Sequence, residues 1–295
     1  MVLAGAVDAA PLRAAGWSLR GTLSGDPYAD RLDAATYVEV DELLEDAAID
    51  AVAVDGDDRE LAPLLPALRD SGLLLLLPTA APLEPDLVRA SRAVRDPADA
   101  AVGLLGRWEP WALTVAAALP LVGTPPVQVT VRGWPRGRQA AAELVDLAAS
   151  WCGEVAAVVA APAPLPAEVL PGGEAVSWAL LTGSGATVLV SHEGPAPVVR
   201  LSFATARLEA GPAGARWTGG AELPLQPLPP WVPHAQGSAP GLVATAAALA
   251  RAVGGGDVPA ETWPWPADLG DLLVAARVLE ALRTSARTEQ LVPVA

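Results

Sequence analysis

A chain of 295 residues, 52% of them hydrophobic, has the apolar content to bury one large core or two of ordinary size. Its formal net charge of −15 argues against nucleic acids and anionic membranes as partners, because both reward a basic surface. One cysteine and two histidines leave no intramolecular disulfide and no multi-histidine site, so no metal is expected. Short apolar runs and an N-terminus without a signal-peptide pattern predict a cytoplasmic protein.

The first hundred residues alternate between short apolar runs and helical patterns. Strands are predicted over residues 1–5, 18–23 and 49–54. A short helix is predicted over 41–47, with Asp41 at its N-cap. A second helix is predicted over 57–72, where four leucines share one helical face: Leu61, Leu64, Leu65 and Leu68.

Five leucines, Leu73–Leu77, lie between Gly72 and Pro78. A short apolar run with such flanks predicts a strand that is buried on both faces. That is the environment of a central parallel strand with helices above and below. The order strand, helix, strand, helix therefore predicts a doubly wound α/β sheet with right-handed crossovers.

After Arg107 the pattern changes. An alternating strand is predicted at 127–133, with one helical segment before it and one after it. Turn residues then separate four strand candidates: 155–160, 175–183, 186–194 and 198–210. A Pro/Gly/Trp-rich stretch over 215–240 is predicted to be an ordered loop. These patterns predict a first domain over 1–106 and an α+β domain over 107–295. The last helix, at about 267–287, is expected to pack back on the first domain.

Four segments resemble, in their order and spacing, the Gfo/Idh/MocA family of NAD(P)-dependent oxidoreductases. They are "YVEVDELLEDAAIDAVAV", "LPALRDSGLLLLLPTA", "ELVDLAASWCGEVAAVVA" and the C-terminal "WPADLGDLLVAARVLEALRTSARTEQLVPV". The resemblance covers nearly the whole chain. It implies a Rossmann-like parallel doubly wound sheet, followed by an α+β domain with a mostly antiparallel open sheet. It also implies hydride transfer between a nicotinamide cofactor and a sugar-like alcohol.

The cofactor positions implied by the resemblance are poorly kept. In the first loop, "GAVDAA", only Gly5 matches the glycine fingerprint, which lets the backbone approach a pyrophosphate. Val7 replaces a glycine, and Asp8 places negative charge where two phosphates would bind. Asp26 stands at the position of the ribose-binding acid, although Asp-Pro is also a common turn dipeptide. Gly5 and Asp26 are the candidates for cofactor binding.

The catalytic positions fit less well still. Leu77 and Pro78 occupy the end of the strand where the family places its catalytic lysine, and the chain contains no lysine at all. The family's acid and histidine pattern falls on a helix at four positions, of which only the last is kept: Gln139, Ala141, Glu143 and Asp146. Among these four positions Glu143 is the candidate for proton transfer, and a solvated helix carboxylate is the alternative.

Three hypotheses follow. In the first, the chain is an inactive relative that needs no cofactor and serves as a scaffold, either as a homodimer through its open sheet face or with a protein partner. In the second, it is an active NAD(P)-dependent enzyme in which Glu143, Tyr28 or Tyr37 transfers protons. In the third, another small ligand binds an interdomain cleft formed by two arginines and two tryptophans, namely Arg107, Trp108, Trp134 and Arg136.

Overall fold

The structure is a computed structural model, which describes residues 1–4, 7–23, 35–55, 64–65, 68, 71–79, 85, 100–135, 137–162, 175–218, 221–233, 240–253 and 267–294. The chain groups into two compact units, one formed by 1–105 with 229–273 and the other by 106–228 with 274–295. Residues 229–273, which the sequence assigned to the second domain, thus group with the first unit. The described helices include none that is long and apolar enough to cross a membrane.

The described strands of the first unit form one parallel sheet. They are β1 (Val2–Ala4), β2 (Gly21–Leu23), β3 (Ala35–Tyr37), β4 (Ala51–Val54), β5 (Leu74–Leu77) and β6 (Ala100–Val102). Their order across the sheet is β3-β2-β1-β4-β5-β6, with every pair parallel. The direction of winding reverses between β1 and β4, as in dinucleotide-binding folds. The predicted doubly wound sheet is therefore confirmed.

The described helices of the first unit are α1 (Ala9–Ala14), α2 (Val40–Glu45) and α5 (Pro240–Val253). The expected N-cap of α2 at Asp41 is wrong, because the helix begins at Val40 and its N-cap is Glu39, two residues earlier. The carboxylate of Glu42 reaches back and accepts a hydrogen bond from the backbone N–H of Val38 at 2.8 Å. The same carboxylate accepts a longer hydrogen bond, 3.4 Å, from the backbone N–H of the N-cap Glu39, which is the reciprocal contact of a capping box.

The leucine run has the burial that its pattern predicts. Leu75, Leu76 and Leu77 are buried, while Leu74 at the start of β5 is half-buried. Leu65 and Leu68, from the predicted helical face, are also buried, and Leu61 lies outside the described residues. Apolar side chains from both sides of the sheet therefore form the core of this unit.

The second unit contains the described strands β7 (Gln128–Arg132), β8 (Val155–Pro162), β9 (Ala175–Thr182), β10 (Thr187–Ser191), β11 (Val198–Ser202), β12 (Arg207–Gly211), β13 (Gly214–Trp217), β14 (Glu222–Leu223) and β15 (Val292–Pro293). They form one sheet in the order β14-β13-β12-β11-β7-β10-β9-β8-β15. Only β7 and β10 pair in parallel among these described strands, which confirms the mostly antiparallel sheet.

Three longer helices accompany this sheet: α3 (Pro110–Val122), α4 (Arg138–Cys152) and α6 (Leu269–Thr288), whose first five residues group with the first unit. A short 3-10 helix, Leu105–Trp108, precedes α3. The fourth strand candidate, 198–210, is in fact the hairpin of β11 and β12. The stretch expected to be a loop contains β13 and β14. The turn between β11 and β12 carries no glycine or proline to mark it, whereas β13 and β14 are only four and two residues long within a stretch rich in glycine and proline.

Candidate functional site

The loop after β1 leads into α1, and the side chain of the preceding Asp8 caps the N-terminus of that helix. Helix α1 has six residues, and the side chain of Asp8 accepts a hydrogen bond from the backbone N–H of Ala10 at 3.0 Å. A helix N-terminus binds phosphate through its free N–H groups and the positive end of its dipole. Here the carboxylate of Asp8 already uses one of those donors and adds its own negative charge.

Val7, which replaces a fingerprint glycine, is buried in the core of the first unit. Its side chain thus contributes apolar packing at the position where the fingerprint needs close backbone approach. The two proposed cofactor-binding residues, Gly5 and Asp26, lie outside the described residues, as does Tyr28.

The edge of the sheet where β4 and β5 end is joined by a side-chain hydrogen bond. The hydroxyl of Thr79 donates to the carboxylate of Asp55 at 2.6 Å. Beside it, a Cβ on Gly103 would lie 2.0 Å from the carbonyl oxygen of Pro78, so only glycine fits there. At the end of the leucine strand, where the family places a lysine, this chain therefore has the hydrogen bond between Thr79 and Asp55 and the close backbone approach of Gly103 to Pro78.

Tyr37, one candidate for proton transfer, lies at the end of β3. Its hydroxyl donates to the carboxylate of Asp46 at 2.7 Å. This hydrogen bond, with a smaller contribution from desolvation, raises the pKa of Tyr37 above its ordinary value. The same bond, with that from the backbone of Ala48, lowers the pKa of Asp46. Proton release from Tyr37 is disfavoured as a result.

In the second unit, α4 brings together two of the residues at the family's catalytic positions. The amide of Gln139 donates to Oε1 of Glu143 at 2.7 Å, one helical turn apart. Oε2 of Glu143 lies 3.6 Å from where a Cβ on Gly106 would be. Both side chains are half-buried. The arrangement holds a carboxylate in one orientation, which is what a proton-transfer group requires.

Asp146, the kept position, forms a buried ion pair with Arg107. The Nε and Nη2 atoms of Arg107 donate to the two carboxylate oxygens of Asp146 at 2.6 and 2.5 Å. Only 8% of the Arg107 side chain and 3% of the Asp146 side chain are exposed. This planar, two-point contact links the 3-10 helix to α4 inside the second unit.

The tryptophans proposed as a cleft wall are buried. Trp134 packs edge-to-face on Trp111, with ring centroids 6.1 Å apart, and its Nε1 donates to the carbonyl of Ala140 at 2.6 Å. Trp108 is buried too, and Arg136 lies outside the described residues. The described residues contain no group of three or more His, Cys, Asp or Glu side chains that could hold a metal ion.

No protein-family model matches the sequence, and no curated protein matches it significantly. Solved structures match the fold over its whole length. One is an oxidoreductase from Agrobacterium radiobacter in complex with NAD+, L-tartaric acid and magnesium, at 16% identity and a TM-score of 0.71, covering 99% of this chain and 97% of that one. The WlbA dehydrogenase of Bordetella pertussis, in complex with NADH and UDP-GlcNAcA, has 15% identity and a TM-score of 0.72, covering 100% and 98%.

An aldose-aldose oxidoreductase from Caulobacter crescentus, complexed with glycerol, matches at 18% identity and a TM-score of 0.72, covering 99% of each chain. These structural neighbours are oxidoreductases of the Gfo/Idh/MocA type. The chain has their fold. At such low identity the likeness concerns the architecture, and the residues at each position must be judged by their own chemistry.

Sequence reasoning missed three contacts at these positions: Asp8 with Ala10, Thr79 with Asp55, and Arg107 with Asp146. The first two had a usable signal. An aspartate just before a helix is a favoured N-cap, and the ends of adjacent parallel strands meet at one sheet edge. The third had none, because its partners are 39 residues apart on different elements.

Proposed function

We propose that the protein is a cytoplasmic, catalytically inactive relative of the Gfo/Idh/MocA oxidoreductases, which keeps their architecture as a binding or assembly scaffold. The observation that carries this proposal is the start of α1. The helix is six residues long and the carboxylate of Asp8 caps it, where a dinucleotide would need free N–H groups. The carboxylate of Asp8 would repel a pyrophosphate bound at this position, because both carry negative charge.

The chemistry at the far end of the sheet supports the same proposal. The chain has no lysine, and the strand β5 leads into Pro78 and Thr79. Thr79 is engaged with Asp55. A hydroxyl that donates to a carboxylate cannot replace a cationic acid, because its proton is bound far more tightly than that of an ammonium group.

Calorimetric titration of the purified protein with NADH and with NADPH tests the proposal. We expect no heat of binding from either cofactor, and no change in nicotinamide absorbance with a panel of aldoses and polyols. Asp8→Ser is the informative companion, since it keeps a capping oxygen and removes the charge. Micromolar binding of either cofactor to the unmodified chain would refute the proposal.

One observation favours a second candidate, an active NAD(P)-dependent oxidoreductase that acts on a sugar-like alcohol or carbonyl. Gln139 orients the half-buried carboxylate of Glu143, at a position that the resemblance assigns to proton transfer. The test is turnover of the sugar panel with NAD(P) by the unmodified chain and by Glu143→Gln. Glu280→Gln, on an exposed face of α6, is the matched control. Turnover lost only in Glu143→Gln would support this candidate, and no turnover in any of the three proteins would exclude it.

A further inference from the structure

One face of the nine-stranded sheet, called here the outer face, carries the exposed and half-buried side chains. Along β7, Val129 and Val131 are buried on the opposite face, while Thr130 and Arg132 belong to the outer face. The side chains of β9 and β10 alternate in the same way. A groove of about 710 Å³ lies on the outer face over β7, β8, β9 and β10, a volume typical of sites for small molecules. All four strands belong to the second unit.

The strand register places three apolar side chains side by side in the groove. Ala179 of β9 lies opposite Leu189 of β10 on one side and opposite Val159 of β8 on the other. Adjacent strands are about 4.8 Å apart, so Leu189 and Val159 lie about 10 Å from each other, with the smaller alanine between them. Leu189 and Val159 keep 38% and 37% of their surface exposed. The result is an apolar depression that suits an aliphatic or aromatic group.

The next row of the groove is polar. Ser191 of β10 lies opposite Ser177 of β9, two residues along each strand from the apolar depression. In the parallel register of β7 and β10, Val131 lies opposite Val190, which places Arg132 beside Ser191. Successive residues on one face of a strand are about 7 Å apart. The guanidinium of Arg132 is therefore within reach of a molecule that occupies the depression.

Glu193 lines the same end of the groove. Its backbone N–H donates to the hydroxyl oxygen of Ser191 at 3.2 Å. The preceding residue, His192, donates from Nδ1 to the carbonyl oxygen of Trp134 at 3.0 Å. These hydrogen bonds hold the segment after β10 against the segment after β7, so the backbones that carry Glu193 and Arg132 have fixed positions relative to each other.

Arg132 and Glu193 differ from their charged neighbours in having no ion pair. On the adjacent strands, Arg200 and Arg216 both donate to Glu209, at 2.7 and 2.6 Å. Within the part of the chain that the structure describes, neither the guanidinium of Arg132 nor the carboxylate of Glu193 forms such a contact. The groove thus combines one positive group, one negative group and an apolar depression.

We propose that the groove binds a free apolar α-amino acid in its zwitterionic form. The carboxylate of the ligand pairs with Arg132, whose planar guanidinium can donate two parallel hydrogen bonds. Its ammonium group pairs with Glu193, and its side chain lies between Leu189 and Val159. Glu193 would repel a simple anion and Arg132 a simple cation, so a molecule that carries both charges is favoured. The inference goes beyond the proposed function, because the second unit alone forms this site.

Calorimetric titration of the full chain with L-phenylalanine and with L-leucine tests the site. We expect saturable binding of both, with a dissociation constant below about 1 mM. The analogue 3-phenylpropionate lacks the ammonium group and 2-phenylethylamine lacks the carboxylate, so each should bind about tenfold more weakly than L-phenylalanine. L-Glutamine keeps both charges and loses the apolar side chain, and it too should bind about tenfold more weakly.

Single substitutions assign each contact. Arg132→Gln should weaken the binding of L-phenylalanine about tenfold without weakening that of 2-phenylethylamine, which has no carboxylate to lose. Glu193→Gln should weaken L-phenylalanine without weakening 3-phenylpropionate, for the corresponding reason. Arg207→Gln is the matched control, because Arg207 is an exposed arginine of β12 that does not line the groove. Circular dichroism checks that each variant is folded.

Three results would overturn the proposal. One is the absence of saturable binding, including the case in which a second copy covers the groove and light scattering gives twice the 30.0 kDa of the chain. The second is an analogue with a single charge that binds as tightly as L-phenylalanine. The third is unchanged binding of L-phenylalanine in both Arg132→Gln and Glu193→Gln. None of these measurements involves a nicotinamide cofactor, so this inference and the proposed function can fail separately.

Discussion

Removal of Asp146 tests whether the buried ion pair supports the second unit. In Asp146→Ala, the guanidinium of Arg107 loses the two carboxylate oxygens that accept its hydrogen bonds at 2.6 and 2.5 Å. Leaving one partner of a buried pair uncompensated costs about 3–5 kcal/mol. At about 3 °C per kcal/mol for a protein of this size, the unfolding temperature should fall by about 10 °C in differential scanning calorimetry.

Two further variants test whether the loss of stability comes from an uncompensated buried charge. Arg107→Met with Asp146→Leu removes both charges and should recover most of the stability, because apolar residues of similar volume replace a buried pair at little cost. Glu209→Ala breaks the exposed contacts with Arg200 and Arg216 and should cost less than about 1 kcal/mol. A loss in Asp146→Ala no larger than that in Glu209→Ala would refute the reasoning.

Three other predictions each concern one residue and its surroundings. Burial raises the pKa of the Cys152 thiol to about 12, so Ellman's reagent should leave it unmodified at pH 8 in the native protein and label it after denaturation. Hydrogen bonds from Arg200, the larger contribution, and from Arg216 hold the pKa of Glu209 below its ordinary value. The stability that Glu209 contributes is therefore present above its pKa in the unfolded chain, and it is lost as the pH falls through its pKa in the folded protein. Arg200→Ala should raise that pKa in an NMR titration. Trp17→Phe loses the buried bond from Nε1 to the carbonyl of Ala246, at 2.9 Å, and should cost about 1–3 kcal/mol in urea denaturation.

Much of the fold could be predicted because the decisive patterns are local. The leucine run between Gly72 and Pro78 is too apolar for an edge strand and too short for a helix, and it forms the buried strand β5. Alternation in 127–133 likewise predicts β7, although Val127 is exposed and the strand begins at Gln128. For the hairpin of β11 and β12 the pattern predicts one strand, because the turn carries no glycine or proline to mark it.

Less of the candidate site could be predicted. The sequence indicates that Val7 and Asp8 are poor substitutes in a phosphate-binding loop, and Asp8 does cap α1. It does not indicate that Thr79 donates to Asp55 or that Gln139 orients Glu143. A hydrogen bond of this kind depends on rotamers and on backbone positions to within about 0.5 Å, and neither is encoded in residue type.

The sequence by itself determined the residue chemistry of this protein and its two-part architecture. Without a lysine, no lysine-based catalysis is possible, and a period of two or of 3.6 residues decides between strand and helix without reference to distant residues. Only the tertiary structure decided that Arg107 pairs with Asp146 and that arginines and glutamates alternate across β11, β12 and β13. The physical reason is that these contacts join residues from separate elements, and their geometry exists only once those elements have packed.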